Sequence, residues 1–151
     1  MHVTSPRTPA RTPGATGLGW KLVFGAWVVA AVSTLGALFL SHVVGVAPCV
    51  LCWYQRIFMF PLALILAVGL FPFDPRVVRY AAPLVAAGWL VALYHVLLTQ
   101  GIVPETLAPC SQGVPCSRVE AVWLGFVTIP LLSLASFTVI GLALVLARIR
   151  S

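Results

Sequence analysis

Pro48-Cys49-Val50-Leu51-Cys52-Trp53-Tyr54-Gln55-Arg56 runs straight into the apolar stretch Ile57 to Phe71, and the reading of that join decides the fold. If the apolar stretch is a helix that begins near Cys49, successive residues advance by about 100° and 1.5 Å. Cys49, Cys52 and Arg56 then fall within an arc of about 60° on one face, stacked over about two turns. Unpaired N–H groups at a helix start stabilise an anion and lower the pKa of a thiol there. Arg56, one turn below Cys52, adds a cation that cannot be neutralised. A dithiol so placed is suited to handling thiolates. The plainer alternative is a static disulfide clipping the helix start, but so short a ring constrains little of the unfolded chain. Arg56 alone would also pass for a snorkelling anchor. It lies only about 6 Å deeper than Cys52, where a charge costs less than at full membrane depth. Its sharing a face with both thiols favours a site.

Composition settles what surrounds this stretch. The chain has 151 residues, 61% hydrophobic and 8% charged, with a mean hydropathy of +1.07. A soluble domain carries about 25% charged residues, so this is a membrane protein. Its length suits one compact unit. Residues 1–19 are rich in Pro, Thr, Gly and Arg without apolar periodicity, and read as a disordered cytoplasmic tail ahead of a single domain over 20–148. Four apolar runs follow: Trp20 to Leu40, Cys49 to Phe71, Tyr80 to Thr99 and Val122 to Ala147. The first is longer than the roughly 7–15 residues of a signal-peptide core and reads as an uncleaved span. Phe71-Pro72-Phe73-Asp74-Pro75-Arg76 is a helix-stopping turn. Pro83 suits a first helical turn, whereas Pro130 is expected to kink the fourth helix. The resulting expectation is an all-α membrane protein, a four-transmembrane-helix up-and-down bundle.

The net charge of +6 does not point to nucleic acid, because the basic residues form no phosphate-binding stripe. They punctuate the spans instead. Arg7, Arg11 and Lys21, the turn residues Arg76 and Arg79, and the terminal Arg148 and Arg150 account for seven of the nine Lys and Arg residues. The positive-inside rule therefore puts both termini and the Asp74 turn in the cytoplasm. All four cysteines then lie on the extracytoplasmic side, where thiols are oxidised.

The second pair, Cys110 and Cys116, sits in Pro109-Cys110-Ser111-Gln112-Gly113-Val114-Pro115-Cys116, within the longest loop, Gln100 to about Ala121. A disulfide across this spacing is sterically allowed, although spacing alone does not establish a pairing. It would serve either as a structural staple or as a disulfide that a protein partner can reach. Zinc ligation by the four cysteines is a loose spacing match only, since one pair starts a membrane helix. His95 in the third span lies at a depth similar to Arg56 and is a site candidate, with an interhelical hydrogen bond as the plainer account. His42 suits an interfacial position at the outer end of the first helix.

These residues together resemble the DsbB/BdbC family of bacterial disulfide-bond formation proteins. The likeness rests on Cys49-Val50-Leu51-Cys52 after a proline, on Tyr54 and Arg56, and on Trp123-Leu124-Gly125-Phe126 with Pro130. The close spacing of Cys110 and Cys116, and Gly113-Val114-Pro115-Cys116-Ser117, look more like the BdbC branch. The resemblance implies a quinone-dependent protein thiol–disulfide oxidoreductase, multi-pass in the bacterial cell (inner) membrane. Such a protein reoxidises a thioredoxin-like extracytoplasmic thiol oxidase (DsbA/BdbD-like) and passes two electrons to a membrane quinone, menaquinone or ubiquinone. By motif position it implies a Cys49–Cys52 disulfide next to the quinone, with Cys52 the thiolate that contacts the ring. It also implies a Cys110–Cys116 disulfide with Cys110 meeting the partner, and Arg56 and His95 as quinone-binding residues. Gln55 stands where some members carry an acid and receives no role. Two rival readings are a vitamin K epoxide reductase-like quinone oxidoreductase, whose Cys-x-x-Cys is expected late in the chain, and a non-catalytic membrane subunit braced by its disulfides.

Overall fold

The computed structural model describes residues 13–104 and 127–150, with Cys116 and residues 122–123 between them. Four helices dominate it: α1 Pro13–His42, α2 Val50–Leu70, α3 Val77–Thr99 and α4 Ile129–Arg150. Two short strands, β1 Val122–Trp123 and β2 Val127–Thr128, pair antiparallel just ahead of α4. All four helices are long and apolar enough to cross a membrane. Each packs against two neighbours, in the ring α1–α2–α3–α4–α1, and the diagonal pairs barely touch. With short connections joining α1 to α2 and α2 to α3, this is the expected up-and-down bundle.

The bundle closes on Val23, Ala26 and Ala30 of α1, Met59, Leu62 and Leu66 of α2, Ala81, Val85 and Ala92 of α3, and Phe137, Ile140 and Leu144 of α4. Small residues among them let the backbones approach. Gly88 is the sharpest case, since a Cβ there would lie 2.3 Å from two ring carbons of Phe137. Large apolar side chains such as Leu35, Leu64, Val68, Leu90 and Leu142 point outward. Lipid is the solvent in which that arrangement costs nothing. Hydrogen bonds add direction between helices: Ser33 donates to Ser136 at 3.2 Å, and Trp89 Nε1 donates to Thr138 Oγ1 at 3.0 Å.

Several helix ends differ from the sequence expectation. The α1 backbone is already helical at Pro13, well before Trp20; proline is tolerated at a first helical position because its missing N–H would have had no partner there. Residues 1–12 of the expected tail lie outside the described residues. The α3 helix begins at Val77, so Pro83 falls beyond the first turn. The expected kink at Pro130 is corrected: α4 starts at Ile129, so Pro130 is its second residue and breaks no intrahelical hydrogen bond. The Val122 to Thr128 part of the expected fourth span holds the paired strands instead. Pro61 inside α2 and Pro83 inside α3 are the prolines that each remove an intrahelical hydrogen bond.

The turn between α2 and α3 holds as its sequence suggested. Asp74 Oδ1 accepts the Arg76 N–H at 2.9 Å, and Gly69 leaves room for Val77, which a Cβ would approach to 2.3 Å. At the other end of α3, Gly101 adopts φ +74 and its N–H returns to the Leu98 carbonyl. That left-handed residue stops the helix just beyond His95 and Leu98.

Candidate functional site

Cys49 is the N-cap of α2, a position usually held by Ser, Thr, Asp or Asn. Its sulfur takes over their task and accepts the Cys52 N–H at 3.4 Å. Helix geometry then carries the Cys52 side chain onto the same face, and the two sulfurs share a hydrogen bond at 2.9 Å. Both are free cysteines in this structure, with the sulfurs of the expected disulfide in direct contact. The cap explains how they meet: the Cys52 N–H holds the Cys49 sulfur over the helix start, on the side where the Cys52 side chain leaves the helix.

From the facing helix α3, His95 brings Nε2 to 3.8 Å from Cys49 Sγ. His95 is almost fully buried, as is Gln55 on α2, and the Gln55 amide nitrogen lies 3.1 Å from His95 Nδ1. Both ring nitrogens are therefore engaged inside the protein. Cys49 precedes the spanning helix, and its thiol is held below the ordinary range. The largest cause is its hydrogen bond with Cys52; burial opposes it, and His95 and the Cys52 backbone N–H reinforce it.

Arg56 lies one turn below Cys52, as the helical spacing predicted. Its Nη2 donates to the Ala37 carbonyl at 2.9 Å and to Ser41 Oγ, and its guanidinium sits 5.5 Å from the centre of the Trp53 ring. It thus ties α2 to the outer end of α1. The Nε and Nη1 hydrogens make no hydrogen bond among the described residues and are available to an acceptor beside Cys52. Trp53 and Tyr54 are exposed at the same level, as an interfacial belt requires.

Cys116 joins this site from the long loop. It is disulfide-bonded and buried, and it packs in one cluster with Cys49, Leu51 and Leu98, against which Cys52 and Tyr94 also lie. Cys110 lies outside the described residues. A groove of about 490 Å³ between α3 and α4 is lined by Val85, Trp89, Phe137 and Arg148 among others, toward the opposite end of the bundle from the cysteines. The cysteine cluster at the start of α2 lies away from that groove.

The family model described as "Disulfide bond formation protein DsbB" matches residues 20–147. The chain belongs to this family. Among its relatives is a "Probable disulfide formation protein" of Metapseudomonas resinovorans, 44% identical over 140 residues, which cover 92% of this chain and 97% of that one. "Disulfide bond formation protein C" of Bacillus subtilis (strain 168) is 42% identical over 118 residues, 78% of this chain and 86% of its own. A "Probable disulfide formation protein C 1" of Bacillus anthracis is 38% identical over 119 residues, 79% of this chain and 86% of its own. No solved structure gives a significant match. Family membership and the four apolar helices make this a multi-pass membrane protein of disulfide-bond formation, a thiol–disulfide oxidoreductase that works with a thiol oxidase partner.

Within that family frame, the structure brings Cys49, Cys52, Arg56, His95 and Cys116 to one end of the bundle. Sequence reasoning left Gln55 without a role, although a signal was present. A buried amide in an apolar span must find a hydrogen-bonding partner, and His95 is the one other buried polar residue among those described. It also missed Ser41 and Ala37, which hold Arg56 from α1.

Proposed function

We propose that this protein reoxidises a thioredoxin-like extracytoplasmic dithiol oxidase and passes the electrons to a membrane quinone. The packing of Cys116 against the Cys49–Cys52 pair carries the reading, because it sets a loop cysteine where it can exchange with the pair at the start of α2. The basic residues at both termini and in the Asp74 turn favour cytoplasmic ends, so that all the cysteines face the extracytoplasmic side of the bacterial cell membrane.

The electron path has two exchanges. A partner thiolate attacks the Cys110 sulfur of a Cys110–Cys116 disulfide, the S–S bond breaks, and Cys116 leaves as thiolate. The partner's second thiol, losing its proton, attacks the mixed disulfide, so the partner leaves oxidised and the loop pair keeps two electrons. Cys116, already packed beside Cys49, then exchanges with a Cys49–Cys52 disulfide; the loop disulfide reforms and the α2 pair becomes a dithiol. A quinone held beside Cys52 would supply the two-electron, two-proton sink that this dithiol needs to return to the disulfide.

The residues at the site fit such an acceptor unequally. Arg56 has donors to offer beside Cys52 and would stabilise negative charge on a ring oxygen. The His95 ring nitrogens lie near Cys49 and Gln55, which sets this candidate quinone-binding residue directly beside the dithiol. Quinone reduction by the reduced partner is the test, in purified protein carrying Cys52→Ser or Cys110→Ser. Both variants should abolish it, and Cys110→Ser should also prevent a mixed disulfide from being trapped. Undiminished turnover in either variant would overturn the relay.

A further inference from the structure

The groove between α3 and α4 lies in the half of the bundle remote from the cysteines, and its length, width and charge specify an occupant. It runs from Val78 to Leu90 on α3 and from Arg148 back to Phe137 on α4. At 1.5 Å per residue this is about 17 Å, close to the roughly 15 Å of hydrocarbon in one leaflet. Spread over that length, 490 Å³ gives a cross-section of about 30 Å², well under the roughly 80 Å² of a helix 10 Å across. A single hydrocarbon chain fits such a slot. Its inner end offers a ligand no free donor: Trp89 Nε1 donates to Thr138 Oγ1 at 3.0 Å, and that hydroxyl donates to the Leu134 carbonyl at 2.7 Å. Its outer end holds Arg148, whose guanidinium presents five N–H donors in a fork that matches a phosphate. Arg79 in the first turn of α3 and Arg150 at the end of α4 lie at the same end of the bundle. Asp74, in the turn before α3, is the one acid among the described residues, so the field there is positive.

We propose that this groove is a binding site for an anionic phospholipid of the phosphatidylglycerol type, with one acyl chain along the groove and the headgroup phosphate at Arg148. Leu90, Leu142 and Val145 on its walls are exposed, so the groove opens sideways to the bilayer and a lipid enters without crossing the core. Basic pockets between membrane helices on the cytoplasmic side bind anionic headgroups, and the charge placement favours this end as cytoplasmic. A zwitterionic headgroup brings its own cation to Arg148 and forfeits the net attraction. A second copy of this chain is the poorer occupant. Paired through this face about a twofold axis along the membrane normal, it would set two Arg148 side chains against each other at one depth. The site is separate from the electron path proposed above and does not depend on it.

Native mass spectrometry of the full chain tests this, with the protein released from detergent micelles to which phosphatidylglycerol or phosphatidylcholine has been added. Wild type should retain one phosphatidylglycerol per chain, with a Kd about fivefold below that for phosphatidylcholine, the effect of one cation near a bilayer surface. Arg148→Gln should abolish that preference. Arg150→Gln removes the same charge from the same end, but from a position turned about 160° away on the helix, and should keep it. Ala86→Phe places a ring in the groove from an exposed wall position and should lower retention of both lipids to background. Equal retention of the two lipids by wild type overturns the proposal, as does an Arg150→Gln loss as large as that of Arg148→Gln. Should Arg148→Gln fail to fold, undiminished retention by Ala86→Phe overturns it equally. A lipid-free dimer that Ala86→Phe splits would give the groove to a second copy instead.

Discussion

Replacing Arg56 with Met separates two jobs that the structure gives one guanidinium. In the wild type Nη2 donates to the Ala37 carbonyl and to Ser41 Oγ, while the Ser41 hydroxyl itself donates to the Ala37 carbonyl at 3.0 Å. Met keeps the stem and removes both bonds to α1 and the contact with Trp53. Hydrogen bonds to a charged group contribute about 1.5–3 kcal/mol each. Arg56 is half-buried, so screening reduces the two to about 1.5–3 kcal/mol together, and the ring contact adds about 0.5–1 kcal/mol. The expected loss is therefore about 2–4 kcal/mol of stability, measured by denaturant titration in mixed micelles. Ser41→Ala removes one acceptor and keeps the cation, so it should cost about 1 kcal/mol. The functional readout splits the pair the other way. Arg56→Met should raise the apparent quinone KM about tenfold or more, the worth of one charge-assisted hydrogen bond, whereas Ser41→Ala should leave KM near wild type. If Arg56→Met weakened the fold as calculated but left KM and kcat unchanged, Arg56 would be a helix tie and the acceptor-binding argument would be refuted.

Two further outcomes test the packing that holds the site. Gly88→Ala pushes a methyl into the buried Phe137 ring and should cost about 1–3 kcal/mol; Phe137→Leu in the same chain should recover part of it, and simple additivity in that double-mutant cycle would contradict the contact. Leu98→Ala empties space in the cluster that buries Cys49 and Cys116, so it should destabilise by about 2–5 kcal/mol and speed labelling of Cys49 in the reduced protein, whereas an unchanged labelling rate would show that Leu98 does not shield the pair.

The helix ends show where sequence patterning stops being informative. An apolar run marks a span because every backbone group in lipid must be satisfied internally, but it does not mark the residue at which the helix begins. Pro130 illustrates this. Within an apolar run it reads as a kink, and only the paired strands ahead of it reveal that the helix starts one residue earlier. Polar residues inside spans were informative in kind and not in partner. His95 was recognisable as a site candidate from its depth alone, and only the structure shows that Cys49 and Gln55 are its neighbours.

The sequence by itself determined the four spans, the bundle, the positions of the two cysteine pairs and the stacking of Cys49, Cys52 and Arg56. These follow from composition, from charge placement and from the 3.6-residue period, all of which are local properties of the chain. Which side chains meet across helices was decided by tertiary structure alone. Gln55 with His95, His95 with Cys49, Arg56 with Ala37 and Ser41, and Cys116 with Cys49 each join residues far apart in sequence. The relative rotation and depth of α1, α2 and α3 set those meetings. Small residues such as Gly88 and Ala92 fix that rotation by how closely they let neighbouring backbones approach, a property of two surfaces together that no single stretch of sequence carries.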